Sequence, residues 1–218
     1  LTYISQNDKR FVFVGLPCFC KSVRLLQMQN PVFKQRIKFV VGLVCGHLKS
    51  EYFAKSIALN LGMKPKELKK IDFRVKENSK KPSEYFVKVS SKETTLTTLN
   101  KNIIGGNWGL NFFRNPACNL CDDVFAETSD IVIGDAWIKP YNRDPLGTSI
   151  LIVRDKIISK LLQDGMTNNQ LYLDELSLDK AIKSQSSGLT DRRQGLKFRL
   201  WVFKKFFKRK VPNKRFMD

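Results

Sequence analysis

The sequence predicts a mixed α/β (α+β) fold, with a central mixed sheet flanked by helices and a basic helix at the C-terminal end. Three observations lead there. Short apolar runs rich in Val, Ile and Phe recur at 11–15, 36–46, 130–135 and 148–155, with the length and composition of buried strands. Helical patterns alternate with them, which is the order of α/β and α+β domains. The chain has 218 residues and is 42% hydrophobic, enough for a real core. No run approaches the roughly 20 apolar residues that span a bilayer.

The elements follow in order. FVFVG (11–15) reads as a buried strand, LPCFC (16–20) as a loop and KSVRLLQMQ (21–29) as a helix. RIKFVVGLVCG (36–46) is a second buried strand ending at Cys45. SEYFAKSIALNLG (50–62) has Ser50 as N-cap, helical spacing at Phe53, Ile57 and Leu61, and Gly62 as a stop. Residues 71–76 and 84–90 read as two alternating strands joined by a polar turn. KETTLTTLNKNI (92–103) reads as helical, and a Gly- and Asn-rich stretch precedes Cys118. Strands at 130–135 and 148–155 follow, then a helix at 155–165 and a mostly helical stretch at 173–185. No internal repeat is visible.

Net charge is +19, which suggests nucleic acid, anionic lipid or an acidic partner. More than half of that excess lies in residues 192–218, which hold eleven Lys or Arg against one Asp. We therefore read a domain over 1–194 and a basic tail over 195–218. In the tail, Leu196, Leu200, Phe203 and Phe207 repeat at helical spacing among Arg199, Lys204, Lys205, Lys208 and Arg209. Such a basic amphipathic helix suits an anionic membrane surface, or it docks its apolar stripe on the domain. Nucleic acid has only charge in its favour here, with no recognisable motif.

Five cysteines, an odd number, occur without a signal peptide at the start of the chain. This argues against a disulfide framework and for metal or redox use in the cytoplasm. The chain opens on Leu1, so we expect a longer natural protein. Cys18 and Cys45 follow the C-terminal ends of predicted strands, the edge where open α/β sheets bind ligands. Cys118 and Cys121 form a CxxC pair. Four thiolates complete a tetrahedral zinc site or the corners of a cubane cluster. Four unrelated buried thiols would leave the same pattern.

The phrases FVFVGLPCFCKSVRLL, KFVVGLVCGHLKSEYF, IDFRVKEN…EYFVKV and CNLCDDVFAETSDIVIGDAW…PLGTSILIVRD occur in that order. Together they resemble the C-terminal domain of the coenzyme F-420 hydrogenase/dehydrogenase beta-subunit family, from about residue 10 to 190. GHLKS after Cys45 is similar to a bacterial branch found near polysaccharide genes. The resemblance implies an iron–sulfur flavoprotein carrying a 4Fe-4S cluster and FAD, with a ferredoxin-like or deazaflavin electron partner. It makes Cys18, Cys45, Cys118 and Cys121 the cluster ligands and leaves Cys20 as a spare, structural thiol. An upstream segment of the domain and a ferredoxin module, common in the family, are not in this chain.

A flavin dinucleotide needs N–H groups or cations at its pyrophosphate and a donor near its ring. The candidates are the Gly15–Pro17 loop, Arg74 and Lys76 on the hairpin, and Asp135, Thr148 and Ser149. Arg74 and Lys76 equally suit a solvated hairpin face, and Asp135 a turn cap. No G-x-G-x-x-G is present, so a Rossmann site is not supported. His47, the only histidine, is a candidate proton donor or zinc ligand, though a lone His beside a loop is more often a surface group. Trp108 and Trp137 read as core. No Ser/His/Asp set or carboxylate pair is credible. Electron transfer therefore leads. A zinc- or nucleic-acid-binding module is the alternative, as is a cofactor-free scaffold at the inner face of the membrane.

Overall fold

The computed structural model describes residues 1–76 and 81–214. Part of the polar turn expected before residue 84 and the last four residues of the basic tail fall outside them. In chain order the elements are α1 (Thr2–Gln6), β1 (Phe11–Gly15), α2 (Pro17–Gln29), α3 (Pro31–Arg36), β2 (Ile37–Leu43) and α4 (Glu51–Asn60). Then come β3 (Lys70–Val75), β4 (Phe86–Ser90), β5 (Thr95–Leu99), β6 (Ile131–Asp135) and β7 (Ser149–Val153). The helices α5 (Lys156–Thr167), α6 (Leu178–Ser184), α7 (Ser186–Leu189) and α8 (Gly195–Lys205) complete the described chain. The expected mixed fold is what forms.

Two compact units divide these elements. The first comprises Leu1–Gly46, Asn119–Ala136 and Ser149–Asp218, and the second His47–Cys118 and Trp137–Thr148. Along the chain, the second unit is thus inserted after β2 and again between β6 and β7.

The first unit holds a four-stranded sheet in the order β1-β2-β6-β7. Strands β1, β2 and β6 are parallel, and β7 runs antiparallel to β6. Its core packs Cys20 and Val23 of α2 and Phe33 of α3 against Ile37, Val40, Ala126 and Val132. Burying each Val, Ile or Phe contributes about 1.5–3 kcal/mol. Pro17 and Pro31 stand in the first turns of α2 and α3, where a missing N–H costs nothing. Asn30 caps α3 by accepting from the Val32 N–H at 3.0 Å, and Asp155 caps α5 through Ile157 and Ile158. Gly42 is required by close packing: a Cβ there would lie 2.3 Å from that of Ala126.

Asp130 locks the entry to β6. One carboxylate oxygen accepts from the Val40 N–H at 2.7 Å, and the other takes the Arg24 guanidinium of α2. Arg24 also donates through Nε to the Thr128 carbonyl at 2.8 Å. Helix α2 and two parallel strands are thereby tied at one carboxylate.

The second unit contains the antiparallel sheet β3-β4-β5 and α4. Its core is Phe53, Ile57 and Ala58 of α4 with Met63, Val87, Val89 and Ile103.

Three local expectations are corrected. The helix expected over 92–103 does not form: Thr95–Leu99 are β5, pairing Val87 with Thr98 and Val89 with Leu96, and a single 3-10 turn at Asn100–Asn102 follows. Thr-rich sequence has high strand propensity, and β4 supplies the partner. Helix α2 starts at Pro17, four residues before the sequence suggested, so Cys18 sits in a helical first turn rather than a loop. Strand β1, expected to be buried, alternates instead, with Val12 and Val14 exposed, while the mostly helical stretch expected at 173–185 forms α6 over Leu178–Ser184.

Helix α8 confirms the helix expected in the basic tail, and its Leu196 and Leu200 are buried. Among the described residues no helix is long and apolar enough to cross a membrane.

Candidate functional site

In the first unit the segments that carry Cys18 and Cys45 lie at one sheet edge, and the segment following Cys121 runs beside the Cys45 loop. Cys18 lies in the first turn of α2, directly after β1. Cys45 follows β2, and its N–H donates to the Val124 carbonyl at 3.0 Å. That bond lays the Cys45 loop beside the segment that follows Cys121. Because β1 and β2 are parallel, these segments share the C-terminal edge. A buried arginine secures the same loop: Arg192 Nε donates to the Gly46 carbonyl at 2.6 Å, and its side chain is among the most fully buried of the protein. The Cys121 thiol donates to the Asp123 carbonyl at 3.7 Å. Asp123 in turn accepts from the Glu127 N–H.

The two cysteines of α2 differ sharply. Cys18 is exposed and Cys20 buried. Burial, and next the negative charge of Asp123, push the Cys20 thiol up to about 11. Its sulfur contacts the Gly15 carbonyl at 3.3 Å. Cys20 is a core residue held neutral, not a ready ligand.

Cys118 belongs to the second unit. Its sulfur accepts the Leu48 N–H at 3.3 Å, and Arg114 Nη2 donates to its carbonyl at 2.9 Å. The Leu48 N–H is aimed there because residues 48–50 pair with 113–115, through Asn115 N–H to Leu48 O and Ser50 N–H to Phe113 O, both 2.8 Å. His47 is buried and stacks on Trp108 with centroids 5.1 Å apart; the surface position expected of it is not found. Lys49, which no sequence pattern singles out, sits over the rings of Phe53 and Trp108 at 5.1 and 5.0 Å. It donates to the Phe112 carbonyl at 2.7 Å. Burial, and then the positive charge of Arg114, lower its pKa from the usual lysine value. Trp108 and Trp137 are exposed rather than core, and each carries a cation over its ring.

Arg74 is the cation on Trp137. Its guanidinium lies 5.4 Å from the Tyr85 ring centre and 5.9 Å from that of Trp137. Lys76 donates to the carbonyls of Pro145 and Leu146 at 3.2 and 2.6 Å, next to Gly147, whose φ is +86°. Arg74, Lys76, Trp137 and the turn leading into Thr148 therefore meet within the second unit. Of the remaining candidates, Gly15 and Pro17 flank Cys18 in the first unit. Asp135 and Ser149 are cross-strand partners at the end of β6 there, and the Asp135 carbonyl accepts from Gln185 Nε2 at 2.7 Å.

Residues 8–179 match the family described as the C terminus of the coenzyme F420 hydrogenase/dehydrogenase beta subunit. The chain belongs to that family. Its fold is similar to a chain of the F420-reducing [NiFe] hydrogenase complex from Methanosarcina barkeri, solved as a xenon derivative, with a TM-score of 0.58 and 17% identity. The match covers 94% of this chain and 65% of the other. The comparison with curated proteins gave no match.

The donor chemistry suits a soft metal or an iron–sulfur cluster. All five cysteines are thiols rather than disulfides, and a backbone N–H already points at one sulfur, the arrangement that steadies a thiolate. Among the described residues, no three His, Cys, Asp or Glu side chains are gathered as a metal-binding group. The ligand set thus rests on the kind of donor and its place in the chain.

Proposed function

We propose that this beta-subunit-family chain is an electron-transfer subunit of an iron–sulfur flavoprotein oxidoreductase. It would pass electrons between a 4Fe-4S cluster, FAD and a soluble partner of ferredoxin or deazaflavin type, in a reducing, cytoplasmic setting. The observation that carries this reading is the set of reduced thiols within the family-matched stretch: Cys18, Cys45, Cys118 and Cys121. These four are the proposed ligands. The cluster supplies one-electron steps, and the flavin joins those to two-electron chemistry.

The protein's own part is to hold and tune these groups. The Leu48 N–H favours a charged sulfur at Cys118. Arg192 and the Val124 carbonyl fix the Cys45 loop. For the flavin, Arg74 and Lys76 supply positive charge for the pyrophosphate. Gly15, Pro17, Asp135, Thr148 and Ser149 supply close backbone approach or polar contacts. Trp137, beside Arg74, offers an aromatic face. The hydrogenase complex of the structural neighbour supports a further proposal, that this chain works beside other subunits.

Anaerobic purification followed by iron, sulfide, zinc and flavin analysis tests the reading. A brown protein with broad absorbance near about 400 nm, iron, sulfide and flavin is the expected result. One bound zinc and no iron would overturn it in favour of a zinc module. A protein that holds neither metal nor flavin after anaerobic reconstitution would overturn it in favour of a scaffold.

A further inference from the structure

We infer that the outer face of α8 and the residues after it form a docking surface for an anionic lipid bilayer. The helix carries two apolar faces. Leu196 and Leu200 are buried in the first unit. The other face turns outward: Phe198 is 66% exposed, Trp201 48%, Phe206 64% and Phe207 61%. An outward group of four large rings on an 11-residue helix and its C-terminal extension needs a partner.

Charge identifies that partner. Residues 195–214 contain eight Lys or Arg and no acidic residue. Arg199 pairs with Asp191, and Lys214 with Asp122, which fasten the segment to the protein. The other basic residues share the surface with the rings. Lys205 lies 5.1 Å from the Trp201 ring centre, and Arg209 lies 5.8 and 5.9 Å from those of Phe203 and Phe207. This is the chemistry of an interfacial helix: rings enter the headgroup boundary while amines and guanidinium reach lipid phosphates.

The rings also favour lipid over nucleic acid. Phe198 stacks on Trp201 at 5.8 Å, and Trp201 meets Phe206 edge-on at 5.5 Å. They form one patch on a helix, not separated platforms along a groove for successive bases. With no membrane-spanning helix among the described residues, the mode is to lie on the surface.

Sedimentation of the full chain with vesicles of phosphatidylcholine alone, or mixed with phosphatidylglycerol, tests this. Cosedimentation is expected only with the anionic vesicles, weakening as salt rises. Trp201→Ser with Phe206→Ser, and separately Lys204→Glu with Lys205→Glu and Lys208→Glu, should each cut binding by roughly tenfold or more. Thermal melts of both variants should match the parent, since the altered side chains face outward. The inference fails if anionic vesicles do not bring the chain down. It also fails if both variants bind as the parent does, or if the chain ignores vesicles but binds a single-stranded oligonucleotide.

Discussion

The backbone N–H of Leu48 donates to the sulfur of Cys118 at 3.3 Å, while the Cys20 sulfur is shut in the core against carbonyls. Two cysteines of one chain thus occupy opposite electrostatic settings. An N–H favours the thiolate; desolvation disfavours it. Cys118→Ala should therefore lower bound iron after anaerobic reconstitution and leave the melting temperature nearly unchanged. Cys20→Ala should keep iron at the parent level and lower the melting temperature by about 2–4 °C for a loss near 1 kcal/mol. Iron analysis and thermal melts on the two variants check both halves.

Cys20 also predicts a pH dependence. Its folded-state pKa is raised to about 11 from 9.0, chiefly by burial. Above pH 9.0 the unfolded chain loses this proton while the folded chain keeps it. The folded state then binds more protons, so stability falls with rising pH. The fall is confined between 9.0 and about 11, with a slope of at most about 1.4 kcal/mol per pH unit from this group. Urea titrations across that window should show a shallower decline in Cys20→Ala than in the parent. Lysines titrating in the same range affect both proteins alike, so the difference isolates the thiol.

Much of this architecture was legible in the sequence. Val- and Ile-rich runs marked the strands of the first sheet by their apolar composition, but that composition did not show which side each strand buries: Val12 and Val14 of β1 are exposed. Cys18 and Cys45 were recognisable as edge residues because they follow such runs. Residues 92–103 misled because a Thr- and Leu-containing segment fits a helix period as readily as a strand period; only the pairing with β4 decides. The cation–ring contacts of Lys49 and Arg74, and the exposure of the two tryptophans, could not be read. Cation–ring contacts depend on distant segments, here 48–50 against 113–115, and no local pattern encodes that pairing. Arg192 is the extreme case: a basic residue that nothing in its basic stretch sets apart is buried and donates to the carbonyl of Gly46.

That burial yields a third prediction. Leaving a buried acceptor without its donor costs about 1–3 kcal/mol. Arg192→Met removes the guanidinium and its donors while keeping an apolar stem, so the loss should fall within about that range. Losing its donor, the Gly46 carbonyl should loosen the Cys45 loop. Hydrogen exchange should report it as faster exchange at the Cys45 N–H, which donates to Val124. The amides within α2 should stay protected.

The last prediction concerns Arg74 and Lys76, which the sequence offered as a pair but which sit in unlike surroundings. Arg74 is exposed and lies between the Tyr85 and Trp137 rings. Lys76 is half-buried and clasps the Pro145 and Leu146 carbonyls. A guanidinium stacked on rings at the surface keeps its planar fork, which matches the geometry of a phosphate. In the proposed flavin site Lys76 would share its amine between two carbonyls and the anion. Arg74→Ala should therefore weaken FAD binding by roughly tenfold or more with little loss of stability. Lys76→Ala should lower stability by about 1–2 kcal/mol through the released turn and weaken FAD through that turn as well. Lys76→Arg would separate the two effects, since it restores charge but not the compact fit against Gly147, whose missing Cβ leaves space next to Nζ. Fluorescence titration with FAD, read beside urea unfolding of the same three variants, checks the assignment. Equal FAD affinity in Arg74→Ala and the parent would remove Arg74 from the proposed flavin site.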